Sequence, residues 1–424
     1  MRFPKVLTVK QKFSSFALPD VREAVRSEVR RVLPHTRIRP DNSVAVTVGS
    51  RGIANLATIV RGIVDELLSY GCRPFLVPCM GSHGGATAEG QRKVLEEYGI
   101  TQSSMGVPIE SAMDVGEVAR TEEGLRVFVD KNALGADHIV VFNRVKPHTD
   151  FRGTIESGLM KMMTIGLGKH SGAQYYHRAA VTYGGSRVIR AVGRAVLRNC
   201  PVAFGLAVVE DAYDNTALVE AILPDDIERR EAELLAQARE MMAKLPFKKI
   251  DVLIIDRMGK NISGTGMDTN VIGRIHNIYE PEPEWPKITR IVVRDLTDET
   301  LGNATGVGLA DFVTKRLADK IDWHVTYTNC LTGLVVEKAR LPMVCPTDRD
   351  AVEAALGTVG LVEPEQARLV WIRDTLSLHE VAVSVAFLPE IEDRDDLLVM
   401  SEPFDLPFDE VGNLRDMWHG YDPR

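Results

Sequence analysis

The chain has 424 residues, 45% of them hydrophobic and 26% charged, a composition typical of a globular protein large enough for two or three domains. Its 51 basic and 59 acidic residues give a net charge of −8, which disfavours a general nucleic-acid surface. No run approaches the ~20 apolar residues of a membrane span, and the basic N-terminal stretch lacks the apolar core of a signal peptide.

The cysteines indicate the compartment. There are five, an odd number, and they are scattered without a CxxC pair. This pattern argues for a reducing cytoplasm and against a thiolate zinc site or a metal cluster.

Taken in chain order, short apolar runs alternate with helical patterns. Strands are predicted at 43–48, 74–78, 136–142, 202–209, 250–255, 288–295 and 369–372. Helices are predicted at 55–70, 87–98, 185–199, 225–244, 311–320 and 348–356. Such alternation favours parallel sheets covered by helices. The sequence therefore predicts an α/β fold of two α/β domains, with mostly parallel sheets and an interdomain cleft where ligands bind.

Domain boundaries follow from breaks in these patterns. The charged helix at 225–244 ends near Pro246, so we expect an N-terminal catalytic domain at 1–246 and a C-terminal α/β domain at 247–395. The acidic, Pro-rich stretch at 396–424 is then a tail that could pack back on the first domain.

Loops rich in glycine follow several predicted strands. The first, at 49–52, contains Ser50 and Arg51, and the second, at 81–85, contains Gly81, Ser82 and His83. Because strand ends of a parallel sheet meet at one edge, we expect these loops to converge with the segment that follows the strand at 136–142. An arginine fork suits a carboxylate or phosphate, although one Gly-rich turn is as often a mere connection.

The segment at 146–177 holds three histidines, three lysines and five glycines. Basic and imidazole groups on a Gly-rich backbone suit an anionic ligand, a metal or both. Lys161 lies in an apolar neighbourhood, GLMKMMTIGLG, where an ammonium group is costly unless it is paired or chemically engaged. A further loop after the strand at 250–255 contributes Lys260.

Common motif templates fail in this chain. GLGKHSG at 166–172 differs from a P-loop, since Met163 replaces the first glycine and His170 the Ser or Thr. The chain has no GxGxxG dinucleotide loop after the first strand, no GxSxG elbow and no HExxH.

An ordered set of four residues resembles the lactate racemase family. It consists of a Gly-Ser-His loop with His83, a Pro-His with His148, a lysine in a Gly-rich run, Lys161, and a histidine sixteen positions on, His177. The resemblance covers the N-terminal domain and extends loosely to Lys260. It implies a 2-hydroxy acid racemase or epimerase that uses a nickel-pincer nucleotide.

The resemblance also implies roles for individual residues. Lys161 would be the attachment site of the cofactor, and His177 the nickel ligand, with His170 as its rival. His83 and His148 would be paired acid/base groups, which suits imidazoles with pKa values near neutrality. Lys260 would polarise the developing carbonyl. The further cofactor-binding residues would be Ser50, Arg51, Gly81, Ser82 and Arg152.

The chain also departs from that family. Where the family has Asp-x-Thr-Arg after the first strand, this chain has Val48-Gly49-Ser50-Arg51, without the aspartate. Arg152 and Glu156 are additions, so we expect a divergent member whose substrate is a 2-hydroxy acid other than lactate. Expected partners are that substrate and the proteins that make the cofactor, with no nucleic acid or membrane and with room for a homo-oligomer.

Two other functions compete with this interpretation. One is a cofactor-free α/β lyase or hydrolase that uses the histidines as general acid and base. The other is a non-catalytic protein that binds an anionic nucleotide.

Overall fold

The computed structural model describes residues 1–49 and 52–418. Its strands are β1 (Val6–Gln11), β2 (Ser43–Val48), β3 (Arg73–Pro78), β4 (Val115–Arg120), β5 (Arg126–Asp130), β6 (His138–Arg144), β7 (Val202–Glu210), β8 (Thr216–Ile222), β9 (Lys249–Met258), β10 (Lys287–Leu296), β11 (Phe312–Thr314), β12 (Met343–Cys345), β13 (Leu369–Ile372), β14 (Glu380–Ser384) and β15 (Leu397–Val399).

The helices include several single turns. They are α1 (Val21–Val32), α2 (Leu56–Ser69), α3 (Ala88–Glu97), α4 (Gln102–Met105), α5 (Lys131–Leu134), α6 (Leu159–Lys161), α7 (Lys169–Tyr183), α8 (Gly185–Asn199), α9 (Ile227–Met241), α10 (Thr269–Ile272), α11 (Lys315–Asp319), α12 (Trp323–Gly333), α13 (Asp348–Leu356) and α14 (Leu388–Glu392). Among the described residues, no helix is long and apolar enough to cross a membrane.

The chain divides into two compact units. Ser14–Met242 form one, called here the N-terminal unit, and Met1–Phe13 with Ala243–Arg424 form the other, the C-terminal unit. The observed division at 242/243 lies four residues before the predicted one at 246/247. The structure differs from the prediction at both chain ends, because residues 1–13 and the tail belong to the C-terminal unit.

The N-terminal unit is built on a five-stranded sheet in the order β3-β2-β6-β7-β8. The first four strands are parallel, and β8 is antiparallel to β7. Strand β7 is buried over nearly its whole length, as expected for a parallel strand covered on both faces. Side chains of α1 and α2 pack in one core with Val44, and side chains of α7, α8 and α9 pack in another with Ala45. Because Val44 and Ala45 are successive residues of β2, the two cores lie on opposite faces of the sheet.

The C-terminal unit contains an eight-stranded sheet in the order β12-β11-β10-β9-β13-β14-β1-β15. Strands β12 to β13 in that order are parallel, and β14, β1 and β15 pair antiparallel. The N-terminal strand β1 pairs with β14, with Val6 opposite Ser384. The α/β fold with mostly parallel sheets is therefore confirmed in both units, while the interdomain cleft stays a prediction.

The tail is held to the C-terminal unit by a group of buried polar residues, called here the Asp256 cluster. Asp256 accepts hydrogen bonds from the indole N–H groups of Trp371 and Trp418, each at 2.5 Å, and pairs with Arg294. Asp348 accepts from Arg294 Nε at 2.9 Å and from the main-chain N–H of Leu414 in the tail at 2.8 Å. The tail therefore packs on the C-terminal unit, where the sequence had suggested the first domain.

One predicted element has a different conformation. The segment 311–320, predicted as a helix, begins with the strand β11 and only then forms the short helix α11. Phe312, Val313 and Thr314 are all buried. A run of three residues between parallel neighbours carries too little periodicity to be recognised as a strand.

Candidate functional site

Three neighbouring parallel strands deliver their following loops to one place. Strand β2 pairs with both β3 and β6, so their carboxyl ends share one edge of the sheet. A Cβ atom added to Gly49, after β2, would lie 2.6 Å from Met162 Cε. A Cβ atom added to Gly81, after β3, would lie 3.0 Å from Ile165 Cγ2 and 3.5 Å from Ala173 Cβ. The first two loops thus contact the segment at 158–170, called here the lysine segment, which lies in the third.

Of the first loop, Ser50 and Arg51 lie outside the described residues. Gly81 adopts a positive φ of 59°, which its lack of a side chain permits. It also lies against Ile165, so a larger residue would separate the second loop from the lysine segment. Glycine here serves a close approach between two loops.

Lys161 ends the short helix α6 and leads into a π-helical turn, Met162–Gly166. Such turns occur often at functional sites. The side chain is partly buried, and burial lowers the pKa of the Lys161 ammonium group to about 8. Lys146 lowers this pKa further, whereas the carboxylates of Asp150 and Glu156 raise it. A substantial fraction of Lys161 is therefore a neutral, nucleophilic amine near neutral pH.

A buried carboxyl group lies beneath the start of this helix. Glu231 Oε2 accepts a hydrogen bond from the Met160 N–H at 2.8 Å, while its Oε1 is buried without a hydrogen-bond partner. Burial raises the pKa of Glu231 to about 8, so the group is mostly protonated at neutral pH. The sequence interpretation missed Glu231, because α9 was treated as a charged surface helix. Its spacing was the available signal, since Glu231 falls on the buried stripe with Ile227, Leu234, Leu235 and Ala238.

The loop that carries His148 is closed by a bridge and a buried carboxylate. Lys146 and Ser157 pair as an isolated antiparallel bridge. The fully buried Glu156 accepts from the N–H groups of His148 at 2.7 Å and Gly153 at 2.9 Å, and from Arg239 Nη2 at 2.6 Å. Glu156, noted in the sequence only as a departure from the family, thus fixes the main chain at His148.

The His148 ring is also held in place. Its Nδ1 accepts the Asp150 N–H at 3.0 Å, and the ring stacks on Phe151 with 4.1 Å between centroids. Arg152, predicted to bind the cofactor, donates through Nη1 to the carbonyl oxygens of His148 and Phe151. At least part of this guanidinium group therefore shapes the loop.

His83 lies in the second loop and is exposed, beside the partly buried Ser82. The buried Gln91 holds this loop, because its Nε2 donates to Gly81 O at 2.9 Å and to His83 O at 3.4 Å. Its Oε1 is buried without a hydrogen-bond partner. His83 is thus presented from a supported main chain, next to the glycine that contacts the lysine segment.

Helix α7 carries both candidate metal ligands. His170 and His177 are seven residues apart, and Ala173 lies between them at helical spacing, so the three share one face. Ala173 is the residue that meets Gly81, so this face is directed towards the second loop. His170 Nδ1 is buried without a hydrogen-bond partner, and His177 is partly buried. Both histidines remain candidates on this geometry.

Lys169 is distinguished from Lys161 by its surroundings. It is fully buried, with Nζ 3.2 Å from the carboxylate of the equally buried Asp130, and it also donates to Pro78 O. Its φ of 53° is unusual for a residue with a side chain. A lysine enclosed and paired in this way is a structural cation, so Lys161 is the reactive lysine of the segment.

Lys260 lies in the C-terminal unit, at the end of β9. Its Nζ donates to Gly264 O at 2.6 Å and to Asn329 Oδ1 at 2.8 Å. Asn329 Oδ1 also accepts from Thr305 Oγ1 at 2.8 Å. The ammonium group is therefore part of a polar network within its own unit.

Metal-binding capacity is limited to individual side chains. Within residues 1–49 and 52–418, no three His, Cys, Asp or Glu side chains are grouped so that they could hold a metal ion. The cofactor that the sequence resemblance implies needs only one histidine from the protein besides the attachment lysine. Lys161, with its lowered pKa, and His177 or His170 on one face of α7 fit that requirement.

The fold and this site define an α/β protein whose reactive groups lie at the carboxyl edge of a parallel sheet. The family model "Domain of unknown function (DUF362)" matches residues 46–273, more than half of the chain, so the chain belongs to the DUF362 family. The matched region contains His83, His148, Lys161, His177 and Lys260. No curated protein matches the sequence.

Two solved structures are similar to this chain. A Thermotoga maritima protein matches with a TM-score of 0.52 at 12% identity, over 87% of this chain and 99% of that one. This likeness shows a shared fold. The lactate racemase apoprotein from Thermoanaerobacterium thermosaccharolyticum matches with a TM-score of 0.49 at 13% identity, over 88% of this chain and 99% of that one. It belongs to the family that the four sequence motifs resemble.

Proposed function

We propose that this protein is a racemase or epimerase of a 2-hydroxy acid that uses a nickel-pincer nucleotide attached at Lys161. One observation carries the proposal: a lysine whose pKa is lowered to about 8 lies in the segment where loops from adjacent parallel strands meet. A neutral amine is the form that can bond to an acyl or thioacyl carbon. Lys146 and Lys169 do not combine this lowered pKa with this position.

The chain's own residues would hold the cofactor and the substrate. His177, or His170 on the same face of α7, would ligate nickel. Ser50, Arg51, Gly81, Ser82 and Arg152 would contact the anionic parts of cofactor or substrate through main-chain N–H groups and cationic side chains. When bound, the cofactor would accept the substrate's α-hydrogen as hydride and return it.

Proton transfer would fall to the histidines. Oxidising a 2-hydroxy acid to the 2-keto acid removes a hydride from Cα and a proton from the hydroxyl oxygen. His83 and His148, on loops directed to the same edge of the sheet, are the groups proposed to handle that proton. Lys260 would polarise the carbonyl oxygen if substrate reached it. The cofactor-making partners, the cytoplasmic location and a homo-oligomer stay predictions.

Attachment can be tested by mass and metal content. The chain would be co-expressed with the proteins that make the cofactor, and the Lys161 peptide and bound nickel would then be measured. We expect added nucleotide mass and nickel on the wild type and on Lys146→Arg, and neither on Lys161→Arg. A wild-type Lys161 peptide that stays unmodified, with no nickel bound, would overturn the proposal.

The reaction type can be tested separately with the loaded protein in D₂O. Single enantiomers of 2-hydroxy acids would be offered and their C2 configuration followed. Hydride return keeps the original hydrogen at C2, so we expect inversion without deuterium at C2. Deuterium at C2 in step with inversion would indicate proton abstraction by a base and contradict hydride transfer.

A further inference from the structure

The hydrogen bond at His148 determines which ring nitrogen carries the proton. Nδ1 lies 3.0 Å from the Asp150 main-chain nitrogen, which can only donate. Nδ1 must therefore be an unprotonated acceptor, and the neutral imidazole then carries its hydrogen on Nε2. The tautomer of His148 is thus set by the main chain.

This constraint is built into the loop. Glu156 fixes the main-chain N–H of His148 at one end of the turn and that of Gly153 at the other. The Phe151 ring stacks on the imidazole and restricts its rotation. Protonating Nδ1 would set its hydrogen against the Asp150 N–H, and the Asp150 carboxylate oxygen is 3.9 Å away. A flip to the other tautomer would cost the loop a hydrogen bond, about 1 kcal/mol.

We propose that His148 acts as a hydrogen-bond donor through Nε2–H to the C2 oxygen of the substrate, and that His83 alone is the base. This assignment rests on the proposed function for its catalytic meaning. The hydroxyl proton passes to His83 as the hydride leaves Cα, and it returns from His83 to the oxygen when hydride comes back. His148 keeps its own proton throughout and stabilises the charge that develops on the oxygen.

The tautomer can be measured without cofactor or activity. Long-range ¹H–¹⁵N NMR of the full-length chain with labelled histidines distinguishes protonated from unprotonated ring nitrogens, and His148→Gln assigns the signal. At a pH where His148 is neutral, we expect hydrogen on Nε2 and none on Nδ1. Hydrogen on Nδ1, or an even mixture of tautomers, would overturn the proposal.

A pair of Asp150 variants tests the cause. Asp150→Pro removes the main-chain N–H, whereas Asp150→Asn keeps it and removes only the charge. We expect the Nε2–H tautomer to persist in Asp150→Asn and to lose its dominance in Asp150→Pro. A mixed tautomer in Asp150→Asn would assign the effect to the carboxylate and contradict the proposal; if Asp150→Pro fails to fold, the wild-type and Asp150→Asn spectra still decide it.

The catalytic role is tested by glutamine substitutions in the loaded protein. The glutamine amide can replace an Nε2–H donor but cannot act as a base. We expect His148→Gln to keep kcat within about tenfold of wild type, and His83→Gln to lose about 10²–10⁴-fold, the usual contribution of a general base. Equal losses in both variants would show that His148 also transfers a proton. If the wild type has no activity, the proposed function fails, while the NMR result stands on its own.

Discussion

The Asp256 cluster and the lysine segment both bury charged groups, but they satisfy them differently. In the Asp256 cluster, the Asp256 carboxylate accepts from two indoles and a guanidinium, and the Asp348 carboxylate accepts from Arg294, Arg316 and the Leu414 N–H. Around the lysine segment, four buried side-chain atoms have no hydrogen bond: Gln91 Oε1, Asp130 Oδ2, His170 Nδ1 and Glu231 Oε1.

The difference separates a structural network from a candidate site. A satisfied buried network stabilises one packing arrangement, here that of the tail on its sheet. Unsatisfied buried atoms cost free energy and call for another explanation, such as a bound group or a catalytic role. All four of these atoms belong to the N-terminal unit, in residues that support the second loop, the lysine segment or α7.

The largest stability effect is expected in the Asp256 cluster. Arg294→Met leaves Asp256 and Asp348 buried without their shared cation, which should cost about 3–5 kcal/mol of unfolding free energy. Urea denaturation measures this loss. Lys315→Met, which removes an exposed pair with Asp319, is the control and should change stability by less than about 1 kcal/mol. Similar values for both variants would remove the contrast between the two regions.

Lys169 should behave as a structural cation, although it lies in the lysine segment. Lys169→Met leaves the buried Asp130 carboxylate unpaired and should cost about 3 kcal/mol. Adding Asp130→Asn, which keeps an oxygen for the Ala133 N–H, should recover part of that loss. A double variant that is no more stable than Lys169→Met would show that the two side chains are not coupled.

Glu231 should make stability depend on pH. Its pKa is raised from 4.5 to about 8 in the folded protein, so between these values the folded state binds more protons than the unfolded state. Stability must therefore fall as pH rises through this window, by at most roughly 1.4 kcal/mol per pH unit. Relative to Glu231→Gln, the wild type should lose about 2 kcal/mol between pH 5 and pH 7. Parallel stability curves for the two proteins would contradict a protonated Glu231.

The smallest stability effect is expected at Lys161. Its ammonium group is desolvated, so the lowered pKa means that burial of the charge costs stability below about pH 8. Lys161→Met should therefore have an equal or higher melting temperature at pH 7, while losing cofactor attachment. A marked drop in melting temperature would place Lys161 with Lys169 among the structural lysines.

Local sequence patterns predicted most of the regular structure. The strand β2 and the helix α8 have the predicted bounds, because an apolar run between polar turns and a strong helical stripe are local signals. Strand β1 was not predicted, since its pairing with β14 joins residues more than 370 positions apart. The tail was misplaced for the same reason, because its hydrogen bonds to Asp348 and Asp256 are long-range.

The candidate site was only partly predictable. The apolar neighbourhood of Lys161 predicted an unusual lysine, and the lowered pKa agrees with that interpretation. The roles of Glu156 and Glu231 depend on which main-chain N–H groups they reach, which no local pattern encodes. The tautomer of His148 likewise depends on one turn of main chain.

Competitive acetylation of the unloaded, full-length protein across pH, with mass analysis of each lysine peptide, tests the central claim most directly. The claim is that Lys161 is a reactive amine among structural groups. We predict that Lys161 labelling reaches half its maximum near pH 8, while Lys169 resists labelling in the folded protein. A half-maximum for Lys161 near its ordinary value of 10.5, or labelling of Lys169 as readily as Lys161, would contradict the claim.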